Sequence, residues 1–440
     1  MKIGLLHILA KNRAAANKDV AGGYGSVTRI GDSFLARVIQ NQKKTGDRLP
    51  LLSYALYSAI FKKNGHQVCY FENEIPMGMD LVIIHGSIID FRNEAEFADR
   101  IKKHPDNKNT KICFVGPFVS YYHDFFIKHS DFVVVGEPEE FFLELTEIPK
   151  KSGIIKTEPI HNLDSLPMCD WSLFDIGSFS YSPLITKKPF LTIQASRGCP
   201  FSCSYYCPYT AYQGTKLRQR SIENVINEIK NMKKRYKIKG LLFRDPLFGV
   251  NKEYVKQLCK EMVKLNITWG CETRLDLLNE NILKLMKRSG LKSINVGIES
   301  INEDVLKGVK RKPINTVHQE KILKMCDKLN IKVAAFFILG LPDDTTKTIK
   351  QTVAYACSLN TYAAQFSISI PYPGTKYYEE VKNNLLTTDF QDFNASKMVT
   401  THKNFTPKKL FKLREYAYVS YYFRLRYMLK YLKYKILDYI

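Results

Sequence analysis

The fold is decided by residues 190–208, which read FLTIQASRGCPFSCSYYCP. The stretch opens with an apolar run, Phe190–Ala195, that predicts a buried β-strand. Three cysteines follow at the spacing C-x3-C-x3-C, namely Cys199, Cys203 and Cys207. Three such thiolates can hold three corners of an iron–sulfur cube, which leaves the fourth iron free to bind a small molecule. The pattern therefore predicts a reactive iron–sulfur site directly after a strand.

Two other uses of the cysteine triplet have less support. Zinc sites usually combine two cysteine pairs or add histidines, and no histidine lies near the triplet. Disulfides need an oxidising compartment, whereas the sequence begins without a signal-peptide pattern, so we expect a cytoplasmic protein. We assign the isolated cysteines of apolar segments to packing. Cys169 lies in a connecting segment and receives no role.

The composition is that of a globular protein, with 45% hydrophobic and 25% charged residues. Its 440 residues are enough for two domains and a tail. No apolar run is long enough to span a membrane. The net charge of +23 admits nucleic acid, an anionic lipid surface or an anionic substrate as partner, and also a lysine-rich surface that is simply solvated.

The first part of the chain, residues 1–148, alternates apolar runs with helical periodicity, which predicts a parallel sheet covered on both faces. Apolar residues recur at helical spacing in Leu51–Asn64, with Gly65 as C-cap. The segment Ala10–Pro50 is long for one connection, and such loops are often functional. Its run Gly22-Gly23-Tyr24-Gly25 is not a G-x-G-x-x-G pattern, so we predict no nicotinamide site. The predicted strands are Lys2–Ile8, Gln67–Phe71, Asp80–His85, Lys111–Val115 and Asp131–Val135.

A linker, residues 149–189, leads to six β/α units in residues 190–390, which predict a partial (β/α)6 TIM-type barrel. The predicted strands are Phe190–Ala195, Gly240–Arg244, Thr268–Thr273, Ser293–Ile298, Val333–Leu339 and Ala364–Ile370. The predicted helices are Ser221–Tyr236, Glu253–Leu265, Asn279–Ser289, Ile314–Leu329 and Thr345–Ser358. Residues 391–440 predict a basic helical tail, which from Thr401 onward holds ten Lys/Arg and eleven aromatic residues.

Polar residues and glycines follow the predicted barrel strands, at the end where such barrels bind ligands. In strand order they are Arg197 with the cysteines, Asp245, Glu272 with Arg274, Glu299, Gly340, and Gly374. Each also has a structural explanation: an Arg274–Glu299 ion pair, a helix cap at Asp245, and turns with positive φ at the glycines. Together they suit an amino-acid-like ligand that carries a ribose. Such a ligand needs an acidic residue for its hydroxyls, an arginine for its carboxylate and glycines that let the backbone approach closely.

Several motifs in this order resemble the radical S-adenosylmethionine superfamily, and within it the class with an N-terminal cobalamin-binding domain. That class has a Rossmann-like parallel-sheet domain before its barrel. The motifs are the cluster loop Arg197–Cys203 with Cys207-Pro208, Arg220–Glu223, Asp245–Phe248, Cys271–Arg274, Gly297–Ser300, Leu339–Pro342, Pro371–Thr375, Val135–Glu139 and the linker motif Leu163–Pro167.

The resemblance implies a [4Fe–4S] cluster held by Cys199, Cys203 and Cys207. Its fourth iron would bind S-adenosylmethionine, which one electron from a flavodoxin- or ferredoxin-like donor cleaves to a 5′-deoxyadenosyl radical. Cobalamin in this class commonly relays a methyl group to an unactivated carbon or phosphorus. By the same resemblance the cofactor-binding residues are Tyr206 at the adenine, Glu299 at the ribose, Arg274 at the carboxylate, and the strand-end residues Asp245 and Gly340.

The sequence departs from the family in two places. The family loop usually reads C-x3-C-x2-C, and this chain has one extra residue, Tyr205 or Tyr206. A one-residue bulge can keep three thiolates on one cube, so we retain the cluster. The first domain also lacks the Asp-x-His-x-x-Gly motif that supplies a cobalt ligand in other cobalamin proteins, as members of this class often do.

The leading functional prediction is cobalamin-dependent methyl transfer to an unactivated centre of a small molecule, lipid or peptide. The alternatives are a radical cyclase or oxidase of the same class, an RNA-modifying methylthiotransferase-like enzyme and a non-catalytic cluster-binding protein. Methylthiotransferases carry three further cysteines in their first domain, whereas only Cys69 and Cys113 precede Cys169 here, so we do not expect nucleic acid. The basic tail is interpreted as a cover over the barrel, a membrane-surface helix, or a site for an acidic or RNA partner.

Overall fold

The first half of the chain builds a six-stranded sheet in the computed structural model, which describes residues 1–9, 16–18, 23–27 and 29–439. The strands are β1 (Lys2–His7), β2 (Gln67–Glu72), β3 (Leu81–His85), β4 (Lys111–Val115), β5 (Phe132–Val135) and β6 (Gly153–Lys156). Their order is β2-β1-β3-β4-β5-β6, and every pairing is parallel. From β1 the chain goes first to β2 on one side and then to β3 on the other. Such a switch point opens a crevice at the carboxyl ends of the strands.

Helices cover this sheet because their apolar faces need burial. In α2 (Leu52–Lys63), Tyr54, Ile60 and Phe61 are buried, and the Tyr54 hydroxyl donates to the carbonyl of Leu6 in β1 over 2.7 Å. The helices of this half are α1 (Phe34–Gly46), α2 (Leu52–Lys63), α3 (Phe91–Lys103), α4 (Pro117–Tyr121), α5 (His123–Phe126) and α6 (Glu139–Glu144).

Two sequence expectations for this half change. The segment Ala10–Pro50 is not one irregular loop, because it contains α1, and its Asp47–Arg48 strand pairs with Ser180–Tyr181 of the linker. Residues 10–15, 19–22 and 28 of that segment lie outside the described part of the chain. The sheet also has a sixth strand that the sequence did not predict: β6 lies in the segment proposed as the linker and pairs with β5. The domain boundaries 1–148, 149–189, 190–390 and 391–440 remain our proposal.

The second half forms an open barrel of six parallel strands in sequential order. The strands are β7 (Phe190–Ile193), β8 (Gly240–Phe243), β9 (Thr268–Thr273), β10 (Leu291–Glu299), β11 (Lys332–Leu339) and β12 (Ala363–Ile368), with β7 and β12 at the two edges. The helices are α7 (Pro208–Gln213), α8 (Ile222–Tyr236), α9 (Lys252–Val263), α10 (Glu280–Arg288), α11 (Glu303–Gly308), α12 (Thr316–Lys328), α13 (Thr346–Leu359) and α14 (Lys376–Val381). The predicted α/β fold with a partial barrel is confirmed.

The tail consists of two helices, α15 (Pro407–Tyr422) and α16 (Leu425–Tyr439). Arg414 of α15 donates from Nε to the carbonyl of Phe366 in β12 over 2.8 Å. Tyr421 is fully buried and bonds to Thr361, just before β12. The first tail helix therefore covers the open edge of the barrel. Among the described residues, no helix combines the length and apolar character that crossing a membrane requires.

Candidate functional site

A short hairpin holds the cysteine loop at the carboxyl end of β7. Ser196–Arg197 pairs antiparallel with Arg218–Gln219, so the residues between them form one closed loop. At Gly198 φ is +79°, and an ideal Cβ would stand 2.1 Å from the carbonyl oxygen of Lys216. Only glycine tolerates both this φ and backbone this close to its Cα. Gly198 therefore fixes the direction in which the chain turns from the strand toward Cys199.

One helical turn accommodates the extra residue between the second and third cysteines. The Cys207 amide donates to the Cys203 carbonyl over 3.1 Å, and the Tyr206 amide donates to the same carbonyl over 3.2 Å. Residues four apart in a helical turn lie on the same face. The spacing C-x3-C therefore keeps Cys203 and Cys207 on one side of the chain.

The two tyrosines of this turn have different surroundings. Both pack on one small apolar cluster, in which Tyr205 is a buried member: its ring centroid lies 5.7 Å from that of Tyr377 and its hydroxyl bonds to Glu380. Tyr206 stays beside the cysteines, and its hydroxyl accepts from Nη1 of Arg311 over 3.4 Å. Tyr205 is therefore the residue that the turn diverts away from the site.

The three thiols lie close enough to influence one another. Burial, and next the proximity of Cys203, raises the pKa of the Cys207 thiol to about 12. Burial also raises the pKa of Cys199, while the guanidinium groups of Arg274 and Arg311 lower it. Iron ligation requires thiolates, and these two cations would stabilise the negative charge that ligation brings.

The chemistry of the three cysteines suits an iron–sulfur cluster, and their ligation of iron stays a prediction. Across the described part of the chain, no group of three or more His, Cys, Asp or Glu side chains is arranged to hold a metal ion. The prediction of a cluster therefore rests on the chemistry of three thiols whose charges influence one another and on the two arginines that lower the pKa of Cys199.

Glu299 stands at the end of β10 in a strained conformation. Its φ is +66°, and the pairing of β10 with β11 shifts register between Gly297 and Glu299. Strain of this kind in a non-glycine residue is concentrated at functional sites. Its Oε1 lies 3.3 Å from Nη1 of Arg311, and burial raises the pKa of this carboxyl although Arg311 lowers it. Glu299 and Tyr206 thus share Arg311 at the mouth of the barrel.

Arg274 is held by Asp276 rather than by Glu299. Its Nε and Nη2 donate to the two carboxylate oxygens of Asp276 over 3.0 Å and 2.8 Å. The guanidinium also lies 4.4 Å above the ring of Phe201, in the cysteine loop. The possible Arg274–Glu299 ion pair is therefore not formed, and each residue has its own partner beside the cysteines.

Asp245 fixes the start of the cysteine loop. Its two carboxylate oxygens accept from the Ala195 amide over 2.8 Å and from the Ser196 hydroxyl over 2.6 Å. Burial raises the pKa of Asp245 to about 6. It does not cap the next helix, because the side chain of Asn251 caps α9. A direct cofactor contact of Asp245 stays a prediction.

The backbone of Gly340 lies close to α15, the first tail helix. With φ at +78°, an ideal Cβ there would stand 2.5 Å from Cδ2 of Leu410 in α15. Its amide donates to Oδ2 of Asp344 over 3.0 Å. The packing of α15 thus explains the glycine, and a cofactor contact at Gly340 stays a prediction.

Buried ion pairs join the two halves next to the cysteine loop. Arg197 contacts Oε2 of Glu137 over 2.8 Å and Oε1 of Glu139 over 2.7 Å, and Nη1 of Arg218 also reaches Glu137 over 3.0 Å. Burial raises the pKa of Glu137, but Arg218 and Arg197 bring it below its usual value. The loop after β5 is therefore fixed to the hairpin that carries the cysteines.

A cleft of about 1030 Å³, counted to its open mouth, lies between the carboxyl edges of the two sheets. The first half lines it with His85, Pro117, Glu137 and Glu139, and the second half with Gln194, Arg197, Tyr212 and Arg244, among others.

Residues 193–356 match the family model of the Radical SAM superfamily. Over 349 residues the chain is 30% identical to an uncharacterized methyltransferase of Pyrococcus horikoshii, a match that covers 74% of this chain and 75% of that protein. The chain belongs to the radical S-adenosylmethionine superfamily. This radical S-adenosylmethionine protein is also 28% identical over 339 residues to the bacteriochlorophyllide d C-12(1)-methyltransferase of Chlorobaculum tepidum, covering 76% of this chain and 71% of that enzyme.

A solved structure shows the same overall fold. The cobalamin-dependent S-adenosylmethionine radical enzyme OxsB, determined with aqua-cobalamin and S-adenosylmethionine, superposes with a TM-score of 0.67. The match covers 99% of this chain and 71% of OxsB at 16% sequence identity. The arrangement of a parallel-sheet half before a partial barrel is therefore a known one.

Membership confirms the predicted family and enzyme class. Radical S-adenosylmethionine enzymes use a [4Fe–4S] cluster and S-adenosylmethionine, and they need a reductant and a substrate. Sequence reasoning missed Arg311, which contacts Tyr206, Gly297 and Glu299. It follows the short helix α11 rather than a strand, so inspection of strand ends could not find it.

Proposed function

We propose that this chain is a cobalamin-dependent radical S-adenosylmethionine methyltransferase that acts on a small molecule, lipid or peptide. The observation that carries the proposal is the cleft between the switch point of the first sheet and the mouth of the barrel. The methyltransferases among its relatives and the fold that it shares with OxsB support the proposal. When bound, cobalamin would carry a methyl group to an unactivated carbon or phosphorus.

For the cluster and S-adenosylmethionine we propose the residues that surround the cysteine loop. Cys199, Cys203 and Cys207 would ligate iron, and Asp245 would hold the loop in place. Tyr206 would lie against the adenine, Glu299 would accept from the ribose hydroxyls, and Arg274 would face the carboxylate. Arg311 would orient Tyr206 and Glu299 together, because it contacts both.

The cleft suits cobalamin by its position and by its polar groups. Ligands of doubly wound sheets bind at the carboxyl ends of strands beside the switch point, which here lies between β1 and β3. Within the described residues, Oε2 of buried Glu139 has no hydrogen-bond partner. Buried polar atoms are normally paired, and the carboxamide arms of cobalamin are donors of the type that Glu139 lacks.

Anaerobic reconstitution with iron, sulfide and hydroxocobalamin tests the function. We expect about four irons per chain, one bound cobalamin, and 5′-deoxyadenosine on addition of S-adenosylmethionine and dithionite. Release of S-adenosylhomocysteine in the same mixture distinguishes methyl transfer from ring formation or oxidation. A chain that retains no cobalamin overturns the proposal. About eight irons would indicate a second cluster, and binding without 5′-deoxyadenosine would indicate a non-catalytic protein.

A matched pair of tyrosine variants tests the proposed adenine contact. Tyr206→Ala should raise the Kd for S-adenosylmethionine about tenfold, since stacking of a base on an aromatic ring is worth about 1–3 kcal/mol. Tyr205→Phe keeps the ring in its apolar cluster and removes only the bond to Glu380. Tyr205→Phe should leave the Kd for S-adenosylmethionine unchanged. Isothermal titration calorimetry of the cluster-loaded protein measures the Kd of each variant. An equal effect of the two variants would remove Tyr206 from the adenine site.

We further propose that α16 makes a peripheral contact with an anionic lipid surface. Its outward face carries an apolar stripe at helical spacing, made of Leu425, Met428, Leu429, Leu432 and Ile436, each 43–73% exposed. Exposed Arg426, Lys433 and Lys435 flank the stripe. Basic residues beside an exposed apolar stripe favour anionic membranes.

The reductant would be a flavodoxin- or ferredoxin-like protein.

Vesicle flotation tests the lipid contact. The full chain should float with vesicles of phosphatidylglycerol and phosphatidylcholine, and the double variant Leu429→Ser, Leu432→Ser should float several-fold less. Val317→Ser removes an exposed apolar side chain from α12 and should change nothing. Equal flotation of both variants, or equal binding to neutral vesicles, contradicts the contact.

A further inference from the structure

A basic face lies at the end of the barrel where its strands begin. Residues 183–189, just before β7, and residues 233–239, between α8 and β8, contain seven Lys/Arg and no acidic residue. The two segments lie side by side, because the amides of Lys239 and Gly240 both donate to the carbonyl of Pro189. Positive charge concentrated in this way indicates an anionic partner. The exposed cations of the basic face are Lys187, Lys188, Lys234, Arg235, Lys237 and Lys239.

The tail helix α16 lies at the same end of the barrel. Its Tyr434 hydroxyl donates to the carbonyl of Ile331, the residue before β11, over 3.2 Å. Asp438 of α16 pairs with Lys332 at the start of β11 over 2.6 Å, and the ammonium of Lys332 also donates to the carbonyl of Pro183. One buried lysine thus joins α16 to the linker segment of the basic face. The apolar stripe of α16 and the basic face therefore belong to one end of the molecule.

The proposed active site lies at the other end of the barrel. The cysteine loop follows the carboxyl end of β7, and Glu299 ends β10. The nine residues of β10 span roughly 30 Å at a rise of about 3.3 Å per residue. An electron donor bound to the basic face would be held away from the cysteines by most of that length. The positive charge is therefore not placed to receive the reductant.

We propose that the end of the barrel where its strands begin is a membrane-binding face, on which the basic face binds anionic phospholipid headgroups beside the stripe of α16. The inference rests on the lipid contact proposed for α16 and extends it to a separate part of the chain. Cations next to an exposed apolar stripe are the combination that an anionic bilayer binds, whereas a nucleic acid would leave the stripe in water. The cleft then opens away from the bilayer, and a substrate enters it from the aqueous side.

Vesicle binding by the full chain tests the basic face, with vesicles of phosphatidylglycerol and phosphatidylcholine. The variant Lys187→Gln, Lys188→Gln should bind about 25-fold more weakly, since each basic residue near an anionic surface strengthens binding about fivefold. The control Lys102→Gln, Lys103→Gln removes the same charge from two exposed neighbours at the end of α3 and should bind like the unsubstituted chain. These lysines are near the start of β4, and the two sheets face each other through their carboxyl ends, so they lie far from the basic face.

Hydrogen exchange with the same vesicles tests the orientation. Exchange should slow in residues 183–189, 233–239 and 425–439 and stay unchanged in the cysteine loop, residues 199–207. Slower exchange in the cysteine loop would place the cleft against the bilayer and overturn the orientation.

The outcomes separate this inference from the proposals on which it rests. Equal vesicle binding by Lys187→Gln, Lys188→Gln and by the unsubstituted chain overturns the basic face, and weaker binding by Leu429→Ser, Leu432→Ser would still support the contact of α16. Absence of vesicle binding by the unsubstituted chain overturns both lipid proposals, whereas anaerobic reconstitution decides the methyltransferase separately. Tighter binding of an RNA oligonucleotide than of vesicles, lost in the lysine variant, would assign the face to nucleic acid and overturn the inference.

Discussion

Single residues decide whether the cysteine loop can hold a cluster. The diverted Tyr205 shows how the loop takes one residue more than its family pattern without separating Cys203 from Cys207. Gly198 carries the tightest constraint, because both its φ and the nearby Lys216 carbonyl exclude a side chain. Arg311 adds a cation that serves two proposed cofactor contacts at once.

Gly198→Ala should abolish cluster assembly. The added Cβ would meet the Lys216 carbonyl, so the hairpin must open and the first cysteine must move. Gly214→Ala is the matched control, because φ is +78° there as well and nothing lies within 4 Å of an ideal Cβ. The control should lose only about 1 kcal/mol of stability. Iron per chain after reconstitution measures the difference, and equal iron in both variants would refute the role of Gly198.

Asp344 should make stability depend on pH. Burial raises the pKa of this carboxyl to about 6, against an ordinary value near 4. The folded state therefore holds the proton more tightly, so this stabilisation is complete below pH ~4 and is lost as pH rises through about 6.

Asp344→Asn should remove this dependence, because an amide can keep the contacts to Gly340, Leu341 and Thr348. The stability of the natural chain relative to the variant should fall by up to about 3 kcal/mol from pH 4 to pH 7.5. Urea unfolding at four pH values measures it, with exposed Asp304→Asn in α11 as control. Parallel curves for the natural chain and Asp344→Asn would contradict the prediction.

At the scale of elements, α16 combines an anchored inner face with an exposed outer one. Asp438 contacts Lys332 of β11 over 2.6 Å, and the Tyr434 hydroxyl donates to Asp327 over 3.1 Å. These polar contacts fix the helix to the barrel without using its apolar stripe. The helix can therefore stay folded on the protein while the stripe faces outward.

Asp438→Asn should loosen α16. The Lys332 side chain is fully buried, so loss of its anionic partner should cost about 3 kcal/mol or more. Hydrogen exchange of residues 425–439 should rise, and the urea midpoint should fall. Glu280→Gln breaks an exposed pair with Lys284 on α10 and should leave both unchanged. Unchanged protection of α16 in Asp438→Asn would show that the apolar contacts alone hold the helix.

At the scale of the whole molecule, the two halves meet through buried charge at the edge of the cleft. Glu137 receives Arg197 and Arg218, and Glu139 receives Arg197 as well. The apolar core also runs through both sheets. The cleft is thus bounded by a fixed junction next to the cysteine loop.

Glu137→Gln should weaken that junction. Removing one charge from a buried network leaves its arginines without full compensation, at a cost of about 3–5 kcal/mol. Urea unfolding should then show the two halves separating before the barrel unfolds, with fluorescence of Trp171 and Trp269 as probes on the linker and the barrel. Glu253→Gln, at an exposed pair with Lys256, is the control. One transition at an unchanged midpoint would count against the junction.

The sequence by itself determined five of the six strands of the first sheet, all six barrel strands, the five long barrel helices and the cysteine loop. Apolar periodicity depends on neighbouring residues, so predicted strands such as Thr268–Thr273 are found at their true bounds and the others within two residues. The short helices α7, α11 and α14 have only six residues each, too few for periodicity to reveal.

Only the tertiary structure decided what the strand-end residues touch. Arg274 pairs with Asp276, Gly340 meets Leu410, and Arg311 enters from a loop outside the strand ends. Such contacts join residues far apart in the chain, and their geometry depends on how whole elements pack rather than on local pattern.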